Sequence, residues 1–258
     1  MFSVINSSSP LRLDLPMLQG IIEFSSRNQV IVMTPFTLSG AMAPITLAGA
    51  VAQQNAEALA GMAFTQVVRP GAPVVYGGFT SNVDMLSGAP AFGTPEYVRT
   101  AMLGGQLARR YNVPYRTSST NAANAVDAQS AYESVFSLWG AIMGGGNFII
   151  HAAGWMEGGL VASYEKFALD IDLLQMVGDF LKPGSGDANG RFAPLISDHR
   201  SHQQWEEAGR PDAASAANRL WKQALAEHEE PALDPAIAEE LDAFVARRIA
   251  QGGEPTDF

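Results

Sequence analysis

The chain has 258 residues, of which 47% are hydrophobic and 16% are charged, and it contains no cysteine. This size suits one globular domain with a substantial core, and the missing thiols exclude disulfides, thiolate zinc sites and cysteine nucleophiles. A formal charge of −10 argues against nucleic acid and anionic membranes as partners, because both favour clustered lysine and arginine.

Five short apolar runs predict buried parallel strands, because they are continuous rather than alternating. In chain order they are 2–5, 30–33, 73–76, 114–116 and 148–152. Helical patterns follow them at 13–24, 48–64, 95–111, 128–143 and 160–181, and Asp127 is the expected N-cap of the fourth. This alternation, without hairpin signals, predicts the α/β class, with a (β/α)8 TIM barrel and a doubly wound sheet as the alternatives.

The predicted barrel is incomplete. A full barrel takes about 250 residues for eight βα units, whereas five units are visible here. The composition of segment 182–190 predicts a flexible linker, and polar amphipathic helices are predicted at 213–229 and 235–251. We therefore expect a partial (β/α) barrel over 1–198 and a carboxy-terminal helical extension over 199–258.

No targeting or membrane-spanning segment is recognisable in the sequence. The first ten residues lack the basic start and apolar run of a signal peptide. No stretch reaches the ~20 continuous apolar residues that a membrane helix needs. These observations predict a cytoplasmic protein.

The carboxyl ends of the strands are where a parallel α/β fold places its functional site. The predicted strand ends are rich in neutral polar and aromatic side chains, and Arg116 is their only cation. Such a set suits holding a quaternary ammonium group by cation–π attraction better than it suits acid–base chemistry. An aromatic residue is more often part of the core, and the candidate aromatic faces are Phe36, Tyr76, Phe79, Tyr115 and Trp155.

His151 is the only one of the four histidines on a predicted strand, so it is a candidate catalytic residue, with a hydrogen-bonded core histidine as the alternative. His199, His202 and His228 fall in the polar tail and are expected to be solvated. Because no cysteine and no second histidine accompany His151, we predict no metal site. No glycine run has the spacing of a dinucleotide-binding loop.

Three long segments are distinctive enough to compare with known families: VINSSSPLRLD (4–14), VMTPFTLSGAMAPITLAGAVAQQNAEALAG (32–61) and TNAANAVDAQSAYESVFSLWGAIMGGGNFIIHAAGWMEGGL (120–160). Together with LISDHRSHQQWEEAGRPDA (195–213) and the ending at 244–258, they resemble the trimethylamine methyltransferase family. The resemblance covers most of the chain, in order.

The resemblance implies a (β/α)8 barrel that moves a methyl group from a methylated amine, such as trimethylamine or glycine betaine, to the cobalt of a separate corrinoid protein. The corrinoid (cobalamin) would be presented by that partner, so the chain itself would bind no cofactor directly. The pyrrolysine position of archaeal members falls near Thr120, so the chain resembles the branch without pyrrolysine, which is associated with quaternary amines. The resemblance also implies that the amino-terminal half of the family's proteins and one βα segment after Leu181 are absent from this chain.

On this basis we predict the substrate-binding residues. Tyr76, Phe79 and Trp155 are predicted to contact the ammonium group. His151 and Thr120 are the candidate catalytic residues, and the rest of the substrate is predicted to be oriented by Asn6, Thr34, Thr120, Asn121, Gln129 and His151.

Two other functions remain open from the sequence. One is a non-catalytic half-barrel that binds a small quaternary amine or a partner protein. The other is an unrelated α/β enzyme, such as a lyase, with a carbonyl pocket built on Arg116. An open five-stranded sheet would expose edges that a closed barrel removes, which favours association with a second copy or a second subunit.

Overall fold

The structure is a computed structural model that describes residues 1–182 and 192–252. It divides into two compact units, Met1–Trp221 and Lys222–Phe258. Apart from Lys182, the predicted linker at 182–190 lies outside the described residues. The predicted domain boundary after residue 198 stays a prediction.

Ten strands are present in the described part of the chain. In chain order they are β1 (Phe2–Ile5), β2 (Val30–Met33), β3 (Leu38–Ser39), β4 (Val74–Gly77), β5 (Ser81–Val83), β6 (Pro90–Ala91), β7 (Tyr115–Ser118), β8 (Phe148–Ile150), β9 (Trp155–Met156) and β10 (Val161–Ala162).

Eight α-helices occur in the same described ranges. They are α1 (Leu15–Ser26), α2 (Leu47–Val68), α3 (Pro95–Tyr111), α4 (Ala128–Met143), α5 (Tyr164–Leu181), α6 (His202–Glu207), α7 (Ala213–Ala226) and α8 (Pro235–Gln251). A short 3-10 turn covers Glu157–Gly159. The predictions for α3, α4 and α8 are confirmed to the residue, whereas α6 was not predicted.

The main sheet has five parallel strands in the order β1-β2-β4-β7-β8. Each strand therefore pairs with the strand of the next βα unit. A barrel has this sequential order, whereas a doubly wound sheet reverses its order at a switch point. The sheet is thus a curled half-barrel of the (β/α)8 type, and the predicted incomplete barrel is confirmed.

Two short antiparallel strand pairs occur although the sequence shows no hairpin signals. β5 pairs antiparallel with β6, and β9 pairs antiparallel with β10. In each pair, only two residues of one strand pair with two residues of the other. Such short strands cannot give an alternating pattern in the sequence. They lie in the loops that follow β4 and β8, which are the loops that build the mouth of a barrel.

Side-chain caps set the starts of the barrel helices. Asp127 accepts hydrogen bonds from the amides of Gln129 and Ser130, so its predicted capping role is confirmed. The helix predicted from residue 160 begins instead at Tyr164, because Ser163 caps it and residues 161–162 form β10. The strand predicted over 148–152 ends at Ile150, since His151 has a left-handed backbone (φ 59°).

The main core lies between the sheet and helices α1 to α3. Its buried side chains are Ile5, Ile21, Ile31, Met33, Ala58, Tyr76, Ala108 and Tyr115. A smaller apolar cluster joins α5 to α7 through Ala168, Ile196 and Ala217. Among the described residues, no helix is both long enough and apolar enough to cross a bilayer.

Candidate functional site

A cavity of about 540 Å³ lies at the carboxyl ends of the parallel strands, inside the first unit. It is built from the ends of β1, β7 and β8 and from the loops that follow β1, β2, β4 and β8. The lining residues are Val4, Asn6, Ser7, Phe36, Phe79, Arg116, Ile150, His151, Trp155, Gly158, Gly159 and Leu160. This is the mouth at which barrel proteins carry their sites.

A row of rings forms one wall of this cavity. The Phe79 ring lies with its centroid 5.1 Å from that of Phe36 and 5.2 Å from that of His151. The His151 and Trp155 rings are nearly perpendicular, with their centroids 5.3 Å apart. Phe92 stacks behind Phe79 at 5.1 Å and holds it in place. Offset and edge contacts of this kind fix ring planes, which gives the cavity preformed aromatic faces.

Arg116 is a buried cation in this wall. It lies on β7, its side chain is 2% exposed, and its Nη1 reaches only the Gly78 carbonyl oxygen at 3.4 Å. Its Nε has no hydrogen-bond partner, and no carboxylate of the described residues forms an ion pair with it. Burial lowers the pKa of Arg116 to about 10, so the guanidinium keeps its charge at neutral pH. A buried, unpaired cation suits an anionic ligand group.

His151 is held neutral in the same wall. Burial, followed by the nearby charge of Arg116, lowers the pKa of His151 to about 4. Its Nδ1 lies 3.1 Å from the Ser118 hydroxyl oxygen. Its left-handed backbone conformation is unusual for a residue other than glycine, and such strain is concentrated at functional sites. The imidazole can therefore hydrogen-bond to a ligand at neutral pH without carrying a charge.

The structure brings part of the predicted site together. Asn6, Phe79, His151 and Trp155 all line the cavity. Tyr76 does not, because its side chain points into the helix-side core, where it is fully buried and its hydroxyl donates to Asn55. A ring with no accessible surface offers no face to a ligand, so we leave Tyr76 out of the proposed contacts.

The other predicted residues do not line the cavity. Thr34 is buried at the end of β2, and Gln129 is exposed on α4, where it donates to Glu133. Thr120 and Asn121 are buried in the loop after β7, and Asn121 Nδ2 donates to the carbonyl oxygen of Trp155 at 2.7 Å. The Thr120 hydroxyl and the Asn121 amide oxygen lack partners, which is costly for buried groups.

Two buried carboxylates that the sequence analysis missed anchor the loops of this mouth. Glu57 accepts hydrogen bonds from Ser7, Ser9 and the Leu11 amide, all in the loop after β1. Glu133 accepts from the amides of 122 and 123, in the loop after β7. Each is the only charged residue in its helix, and that isolation within an apolar helix was an available signal.

A mouth of this kind, with preformed aromatic faces and one buried cation in a (β/α) half-barrel, has the size and lining of a site for a small organic ligand. The family model "Trimethylamine methyltransferase (MTTB)" matches residues 1–191 and 187–253. The chain therefore belongs to the trimethylamine methyltransferase family.

Several curated proteins are similar to the chain in sequence. Glycine betaine methyltransferase of Desulfitobacterium hafniense (strain Y51) is 32% identical over 281 residues, covering 98% of this chain and 58% of the relative. Trimethylamine methyltransferase MttB of Methanosarcina barkeri (strain Fusaro / DSM 804) is 28% identical, covering 92% of this chain and 54% of the relative. Proline betaine:corrinoid methyltransferase of Eubacterium limosum is 33% identical, covering 64% of this chain and 34% of the relative. The chain spans about half the length of the first two.

Proposed function

We propose that this chain binds a methylated ammonium compound at the mouth of the half-barrel and takes part in the transfer of one of its methyl groups to a corrinoid protein. The observation that carries the proposal is the juxtaposition of aromatic faces with an unpaired guanidinium in one cavity. The names of the relatives support the methyl-transfer part, and one of those names includes the corrinoid acceptor.

The ligand we favour carries both charges of a betaine. Its trimethylammonium group would lie against the rings of Phe36, Phe79 and Trp155, since aromatic faces attract weakly hydrated cations. Its carboxylate would meet Arg116, whose guanidinium has no anionic partner among the described residues. His151, neutral at physiological pH, would donate a hydrogen bond to the same carboxylate without adding charge.

The chemistry required of these residues is orientation and exclusion of water. When a quaternary ammonium loses a methyl group, the electron pair of the broken C–N bond stays on nitrogen and the tertiary amine leaves without a proton. The cavity accordingly needs no general acid, which agrees with a lining whose only titratable side chains are Arg116 and His151. Holding the methyl group in line for attack lowers the barrier by positioning alone.

The corrinoid fits this lining, because a cobalt nucleophile needs no proton relay from the protein. When bound to its carrier protein, the corrinoid would supply the methyl-accepting cobalt. The residues of this chain that would present the methyl group to it are Phe79 and Trp155, which hold the ammonium group, and Arg116, which fixes the opposite end of the ligand.

Calorimetric titration with glycine betaine tests the proposal. The full chain should bind glycine betaine, and a Phe79→Ala, Trp155→Ala double variant should lose about tenfold or more in affinity, the equivalent of one or two cation–π contacts. Trp205→Phe, outside the cavity, is the matched control and should bind as the parent does. Binding that is equal in parent and double variant would contradict the aromatic site.

Ligand binding without turnover is a second candidate function. It is favoured by the sheet, since the edge strands β1 and β8 each have a single partner within the described ranges, leaving the barrel open. A visible spectrum of methylated cobalamin, formed from glycine betaine and reduced cobalamin in the presence of the chain, would distinguish transfer from binding alone.

A further inference from the structure

Helix α5 carries an ion pair that is almost completely buried. The side chains of Lys166 and Asp170, one turn apart, are 1% and 6% exposed. Burial lowers the pKa of Lys166 and raises the pKa of Asp170, and the attraction between the two charges opposes both shifts. Burying two charges seldom stabilises a fold more than an apolar pair would, so the partners of this pair are informative.

Hydrogen bonds connect both members of the pair to the loop that carries Trp155, directly for Asp170 and through other side chains for Lys166. Asp170 Oδ2 accepts a hydrogen bond from the Gly154 amide at 2.9 Å. Lys166 Nζ donates to the Ser134 hydroxyl at 2.9 Å. That hydroxyl also accepts from Asn121 Nδ2, which in turn donates to the Trp155 carbonyl oxygen. The Gly154–Trp155 segment is thus held at both ends: Asp170 holds the amide of Gly154 directly, and Lys166 is connected to the carbonyl oxygen of Trp155 through two neutral side chains.

The backbone at this point needs such support. Gly154 has φ 83°, a conformation that glycine adopts freely and therefore does not fix by itself. A Cβ at this position would lie 3.2 Å from the Phe167 Cβ, so the loop passes close to α5. Trp155, the next residue, forms the end of the row of rings.

We propose that Lys166 and Asp170 are positioning residues for Trp155. Asp170 fixes the Gly154 amide, and Lys166 keeps the carboxylate paired and ties it to Ser134. The indole is thereby held in its perpendicular contact with the His151 ring, at the end of the aromatic wall. Only the consequence for ligand affinity rests on the proposed function, because the position of Trp155 can be measured without a ligand.

Two uncharged double variants separate positioning from charge. Lys166→Met/Asp170→Asn keeps an amide oxygen that can accept from Gly154, whereas Lys166→Met/Asp170→Leu has nearly the same volume and no acceptor. Both are made in a background with Trp139, Trp205 and Trp221 changed to Phe, so that Trp155 is the only indole. Asp179→Asn, on the solvent-exposed ion pair of the same helix, is the matched control.

Acrylamide quenching of Trp155 fluorescence is the first readout. We expect quenching like the parent's in the Asn double variant and in the control, and stronger quenching in the Leu double variant. Glycine betaine should bind about tenfold more weakly to the Leu double variant, the equivalent of losing one cation–π contact. Equal quenching in the two double variants would overturn the proposal. A parent that binds no betaine would count against the proposed function only, because quenching still tests the positioning.

Hydrogen exchange gives a second test that does not require the Leu double variant to fold. In the Lys166→Met single variant, the amide of Gly154 should exchange faster than in the parent, because Asp170 has lost the partner that holds it in place. An unchanged exchange rate at Gly154 would contradict the role given to Lys166.

Discussion

The guanidinium carbon of Arg116 lies 5.4 Å from the centroid of the Phe79 ring. The same ring is the centre of the aromatic wall proposed to face a ligand ammonium group. A bare cation bound there would be repelled by Arg116, whereas a zwitterion would bring a carboxylate to neutralise it. The placement of Arg116 next to Phe79 therefore favours betaines over simple tetraalkylammonium ions as ligands.

Replacing Arg116 should change which ligand is preferred. In Arg116→Gln, affinity for glycine betaine should fall at least about 30-fold, the equivalent of losing a buried charged hydrogen bond. Tetramethylammonium should bind as well as before or more tightly, because the like charge is gone. Calorimetry with both ligands measures the two effects, and circular dichroism checks the fold. A parallel loss of both affinities would argue against a carboxylate contact.

The stability of the protein should depend on His151 below neutral pH. Its pKa is lowered from 6.5 to about 4 in the folded state, so between these values the unfolded chain binds more protons than the folded chain. The free energy of unfolding should therefore decrease as the pH falls from about 6.5 towards 4. Urea denaturation of the parent and of His151→Gln at pH 7 and pH 4.5 measures this. A pH dependence that is the same in both proteins would contradict the buried, neutral imidazole.

Glu57 should be essential for the loop after β1. Its side chain is 4% exposed and accepts from Ser9 at 2.7 Å and from the Leu11 amide at 2.8 Å. Glu57→Gln replaces one acceptor oxygen with a donor, which should lower the free energy of unfolding by about 1–3 kcal/mol. Glu23→Gln, in an exposed ion pair on α1, is the control and should change it by less than about 1 kcal/mol. Urea denaturation compares the two variants, and equal stabilities would exclude the anchoring role.

Helix α3 passes very close to the end of α4 at Gly105. A Cβ built there overlaps the carbonyl oxygen of Gly144, which directly follows α4. Gly105→Ala should therefore destabilise the protein by about 1–3 kcal/mol or more through overpacking. Gly178→Ala in α5 has no atom within 4 Å of the added methyl group and should stabilise by about 0.5–1 kcal/mol instead. Thermal unfolding measures the change in stability of each variant. Changes of the same sign in the two variants would contradict this packing.

The sequence alone determined the class of fold, because its signals are local. Continuous apolar runs marked the five parallel strands, and a cap such as Asp127 marked a helix start to the residue. The two short antiparallel pairs were not predictable, since strands of two or three residues cannot show a period. The sequential strand order, which separates a barrel from a doubly wound sheet, is a property of pairing between distant segments.

The tertiary structure decided which of the candidate residues share a cavity. Tyr76 and Phe79 are three residues apart, yet the Tyr76 ring lies in the helix-side core and the Phe79 ring in the mouth. Tyr76 belongs to β4, which ends at Gly77, and Phe79 lies in the loop that follows. The buried roles of Glu57 and of the Lys166–Asp170 pair depend on loops that are distant in sequence. The sequence specifies the type of each side chain. The face of the sheet on which that side chain lies, and the residues it contacts there, are fixed only when the helices pack against the sheet.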